Sequence, residues 1–76
     1  MPRLVPIKRK KFETFLKLIG CQLKRIKGDH LIFWRSGLKR PVIITADTDV
    51  PIFIIRNNLR TLGMLVKEYL NLIKQV

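Results

Sequence analysis

Seventy-six residues leave room for one hydrophobic core and no second, so the chain is read as a single domain over 1–76 and multi-domain or large-cofactor architectures are excluded. Apolar residues at 47% suffice for that core, and 28% charged residues are too evenly mixed with them for a disordered tail. Sixteen Lys and Arg against five Asp and Glu give a net charge of +11, and residues 1–40 hold twelve of the basic groups and two of the acidic ones. Such a half faces a polyanion. Nucleic acid fits, because neutralised phosphates release condensed counterions, and an anionic membrane surface fits the same field. A solvated lysine-rich surface gives the same composition with no ligand at all.

The opening MPRLVPIKRKK has no apolar stretch after its charges, which predicts no secretory leader. The longest apolar runs are a few residues, far below the 18 or more of a membrane span. With Cys21 as the one cysteine no internal disulfide forms, and a cytoplasmic location is expected. Cys21 reads as a small core residue.

In chain order, Phe12, Phe15, Leu16 and Ile19 recur at helical spacing with Lys11, Glu13 and Lys17 opposite, predicting an amphipathic helix over Lys10–Ile19 ended by Gly20. Cys21–Lys27 and His30–Arg35, separated by Gly28-Asp29, predict a β-hairpin. Ser36-Gly37 makes the next turn, and the β-branched run Val42–Thr45 a third strand of an antiparallel meander. Thr45–Pro51 is read as a polar loop in which Asp49 caps a second helix, Pro51–Leu62. That helix carries Ile52, Ile55, Leu59 and Leu62 on one face, Arg56 and Arg60 on another, and ends at Gly63. A short third helix, Leu65–Lys74, has its own stripe of Val66, Tyr69, Leu70 and Ile73, read as core or, in part, as a partner surface. The order defines an α+β domain with helices on one face of a three-stranded sheet.

Candidates for chemistry are few. His30 stands directly after the hairpin turn, and an imidazole both accepts and donates protons near neutral pH. Lys24, Arg25, Lys27 and Arg35 flank it, cations that would hold a phosphodiester and stabilise charge developing on it. On position alone, a packed or solvated histidine is the competing reading. Asp29, Asp47 and Asp49 are read as turn and capping residues, with no metal expected. The glycines at 20, 28, 37 and 63 are scattered, so no phosphate-cradling loop and no cofactor are expected. Phe33 and Trp34 point to opposite faces of a strand, which leaves at most one of them free to stack on a base.

A helix ending in Gly20, the strand-turn segment Lys27-Gly28-Asp29-His30-Leu31-Ile32-Phe33, a β-branched strand and an Arg-bearing helix closing at Gly63 together resemble the HicA toxins over nearly the whole chain. The resemblance implies a fold similar to double-stranded-RNA-binding domains, an mRNA interferase activity and a partner antitoxin, HicB. The family's Gly-Ser-His turn corresponds to Gly28-Asp29-His30, which implies a catalytic role for His30 and sets a carboxylate where the family has a hydroxyl. Many members also carry a Pro-x-His segment where this chain reads Thr45-Ala46-Asp47. The expectation is a metal-independent endoribonuclease with His30 as general acid or base, RNA contacts from Lys24, Arg25, Lys27, Gly28, Asp29, Arg35, Lys39 and Arg40, and a HicB-like antitoxin as protein partner. A non-catalytic RNA-binding module of the same fold is the alternative.

Overall fold

A computed structural model of the chain describes residues 3–76; Met1 and Pro2, at the start of the segment read for a leader, lie outside them. No helix among the described residues is long and apolar enough to cross a membrane. The 3.6-residue spacing of Phe12, Phe15 and Leu16 turns all three to one side of α1 (Arg9–Leu18), where they are fully buried. The helix closes as the Cys21 N–H donates to the Leu16 carbonyl at 2.8 Å. Gly20 between them sits at φ +94°, in the left-handed region that side-chain-bearing residues avoid.

The next three strands form the expected antiparallel meander: β2 (Gln22–Lys27), β3 (His30–Trp34) and β4 (Val42–Thr45), with β3 in the centre. Gly28, at φ +61°, makes the β2–β3 turn. Alternation along the strands sorts the residues by face. Leu31 opposite Ile44 and Phe33 opposite Val42 are buried beneath the helices. His30 opposite Thr45 and Ile32 opposite Ile43 lie on the other face. All six residues of β2 are exposed, including Ile26, although its partner Leu31 on β3 is buried.

One expectation is corrected at the loop before α2 (Ile52–Leu62). Asp49 does not cap that helix; it belongs with Val50 to a two-residue strand, β5 (Asp49–Val50), paired antiparallel with β1 (Ile7–Lys8). The physical reason is tertiary. The main chain ahead of α1 runs alongside, Val50 is buried beneath it, and the Asp49 carboxylate meets the Lys8 ammonium at 3.3 Å. Pro51 takes the N-cap position with no side-chain cap, and the helix begins one residue later than expected.

The α2 stripe of Ile55, Leu59 and Leu62 is buried, and the Asn58 amide, also buried, donates to the Ile43 carbonyl at 3.3 Å. That bond satisfies a carbonyl on the outer edge of β4 and pins the helix along it. In α3 (Val66–Ile73) the Tyr69 ring is buried edge-on against Phe15, centroids 5.0 Å apart, with Phe12 completing the cluster. The C-terminal stripe is therefore core through Tyr69, with Leu70 and Ile73 half-buried, whereas Leu65 and Val66 are exposed. Among the described residues the order is helix, three-stranded antiparallel sheet, two helices, the expected α+β arrangement, with the small β1–β5 pair added.

Candidate active site

The turn Gly28-Asp29 delivers His30 to the first position of β3, on the face the helices leave open. Its side chain is about half exposed, 53%, and stands between Lys27, its partner on β2, and Thr45, its partner on β4. The Asp29 carboxylate lies 3.1 Å from the imidazole Nδ1. With Nδ1–H donating to that carboxylate, the lone pair of the neutral ring is on Nε2. The Asp29 carboxylate thus holds the ring from its Nδ1 side.

The turn is held by main chain. The Ala46 N–H donates to the Asp29 carbonyl at 2.7 Å, and the Ala46 carbonyl accepts from the Arg9 guanidinium at 2.6 Å. Arg9 also donates its own backbone N–H to the Thr48 carbonyl at 2.8 Å. The start of α1 is thereby bolted to the segment after β4, and that segment to the turn beside His30. Thr45 donates to the Asp47 carboxylate at 3.0 Å, which occupies Asp47 locally. Among the described residues no three His, Cys, Asp or Glu side chains come together as a metal-binding group.

The cations proposed from sequence fall into two zones. Arg25 and Lys27 share the open face with His30, opposite Ile32 and His30 themselves, while Lys24 sits at a register shift in β2. Lys39 and Arg40 are exposed in the β3–β4 connection at the far end of the sheet. Arg35 is tied into the fold: its guanidinium donates to the Ile19 carbonyl at 3.1 Å and its stem lies against Gly20. Phe33 is core, whereas Trp34, half-buried on the His30 face, is the aromatic left accessible. Cys21 is buried as expected, and burial pushes its thiol pKa up, with the Arg35 charge opposing more weakly.

Sequence reasoning missed the contribution of α2. His30, Ile43 and Thr45 line a depression of about 300 Å³ whose other wall is Ile54, Asn57, Asn58 and Thr61, with Arg40 and Pro41 at its end. The available signal was the polar face of α2, where Arg56 and Arg60 stand four apart; only the packing of α2 along β4 brings part of that face to the imidazole.

Fold and site define a small basic α+β protein with one accessible imidazole, gripped by a carboxylate and flanked by cations. The sequence matches the family described as the HicA toxin of bacterial toxin-antitoxin systems over residues 9–64, from the first residue of α1 to just past α2. The chain belongs to the HicA toxin family. No curated protein and no solved structure matches it.

Proposed function

We propose that the protein, as one HicA domain over residues 1–76, is a cytoplasmic endoribonuclease: the toxin of a type II pair that cleaves mRNA and is neutralised by a HicB-like antitoxin. The observation that supports this best is His30 itself, accessible on the open sheet face with Nδ1 against Asp29 and Nε2 left to act. Nε2 takes the proton of a ribose 2′-OH, the freed oxygen attacks the adjacent phosphorus, and the P–O5′ bond breaks with a proton returned to the leaving oxygen. Lys27, Arg25 and Lys24 stabilise the charge that builds on the phosphoryl oxygens, and Gly28 lets the turn approach the backbone closely. Asp29 is a positioning residue that holds the ring. The proposed chemistry draws on these side chains alone and needs no metal.

DNA, lacking the 2′-OH, resists this reaction. A small acidic antitoxin would cover His30 and its cationic surroundings through complementary charge. The test is turnover of an mRNA by wild type and His30→Ala with EDTA present. Cleavage by wild type that His30→Ala loses supports the reading. Equal cleavage by both removes His30 from the mechanism, and salt-sensitive RNA binding without any cleavage leaves a non-catalytic RNA-binding module.

A further inference from the structure

Next to the depression beside His30 lies a larger cleft of about 680 Å³ lined by Arg35, Lys39 and Arg40 on one side and by Asn57, Arg60 and Thr61 of α2 on the other. Arg40, Asn57 and Thr61 line both, so the two hollows adjoin along the seam between the sheet and α2, a groove in two parts. Four cations and no carboxylate line the wide part, and none of the four forms an ion pair among the described residues. Arg60 and Lys39 are exposed, with no side-chain hydrogen bond of their own among the described residues. The β2 zone has a hollow of its own, about 410 Å³ and lined by Gln22, Lys24, Trp34 and Arg35, but His30 does not line it, and Lys27 and Arg25 stand on an open strand.

We infer that the groove between β4 and α2 is the path of the RNA strand leading away from the cleavage point, and that Arg60, Arg40 and Lys39 hold phosphates beyond the one that reacts. The inference rests on the proposed ribonuclease reading and adds residues of α2 that the His30 turn gives no hint of. Three features carry it. His30 lines the narrow end, so a strand lying in the groove passes the imidazole. The wide end lies near the Phe33–Val42 end of the β3–β4 pair, three residues from His30, which at strand spacing is roughly 10 Å away. That separation suits Arg60 and Lys39 to phosphates next to the scissile one, with Arg40 at the junction of the two hollows. Finally, a concave wall focuses the field of cations that no carboxylate offsets, so each contributes more to holding a polyanion than it would on an open strand.

Cations that grip only neighbouring phosphates act on binding. Arg60→Gln therefore raises KM several-fold with kcat nearly unchanged, in contrast to His30→Ala. In the His30→Ala background, the affinity for a short single-stranded RNA is measured by fluorescence anisotropy over a salt series. Each phosphate that a variant no longer neutralises lowers the slope of log K against log salt by about 0.7. Lys67→Gln, on the exposed side of α3, is the charge control, and far-UV circular dichroism checks that each variant is folded.

A lowered slope for Arg60→Gln and Arg40→Gln and an unaltered one for Lys67→Gln supports the groove, even if wild type proves unable to cleave; in that event the catalytic reading fails alone. Unaltered slopes at Arg60 and Arg40, with lowered slopes for Lys24→Gln and Lys27→Gln, overturn the groove and move the strand to β2 while His30-dependent cleavage stands. A polyglutamate peptide whose binding Arg60→Gln weakens while the RNA slope is unaltered makes the groove a seat for acidic protein, and overturns the inference. Absence of RNA binding by every protein overturns both.

Discussion

The two faces of the β2–β3–β4 sheet are drawn from the same strands, one residue out of phase, and they serve opposite ends. Leu31, Phe33, Val42 and Ile44 point into the core, and the last three are all but sealed from solvent. Their neighbours His30, Ile32, Ile43 and Thr45 point away, among cations. A strand register is therefore a functional choice here: a slip of one residue would bury the imidazole and expose Phe33. Stability and activity should then be separable by substitutions only one or a few positions apart.

The sharpest test pairs His30 with Phe33 on the same strand. His30→Ala should lower RNA cleavage by about 10²- to 10⁴-fold with an unchanged melting temperature. Phe33→Ala should cost about 3–5 kcal/mol in urea unfolding, a large share of what a domain this small possesses. If both variants lose activity and stability in parallel, the separation of the faces is wrong.

Alkali tests the buried side next. Burial raises the Tyr69 pKa from 10.0 to about 12, so the neutral phenol is the form the fold favours. The unfolded chain ionises first, which means the contribution is complete below pH 10 and is lost between about pH 10 and 12. Unfolding curves across that range should decline in wild type, and part of the decline should vanish in Tyr69→Phe.

On the open side, Asp29→Ala should reduce kcat by less than His30→Ala does while leaving KM nearly unchanged, with Asp29→Ser retaining more activity than Asp29→Ala. An unchanged kcat in both would deny Asp29 its hold on the ring. The smallest effect belongs to Lys8→Ala: its exposed pair with Asp49 is worth about 0.5 kcal/mol or less, detectable only in a double-mutant cycle at low salt.

Much of this fold is legible in the sequence because its signals are local. Phe12, Phe15 and Leu16 mark α1 by their period, Gly28 marks the hairpin, and Val42–Thr45 reads as a strand at its observed bounds. The β1–β5 pair is not legible. Two residues carry no periodicity, and the pairing of Ile7 with Val50 spans most of the chain. The site divides the same way. His30 and the cations around it announce themselves by type and position, but Arg35 spends its guanidinium on Ile19, and Asn57, Thr61 and Arg60 join the groove only because α2 lies along β4. Side-chain chemistry is written in the residue; which helix face it meets is decided by packing.

The clasp at Ala46 has a consequence for how this site can evolve. Both of its hydrogen bonds, to Asp29 and from Arg9, are made through main-chain atoms, and the methyl group takes no part in either. Substitution at this exposed position is therefore free for nearly every amino acid except proline, which has no N–H to offer the turn. The side chain at position 46 can change while its backbone goes on supporting the turn that carries the imidazole.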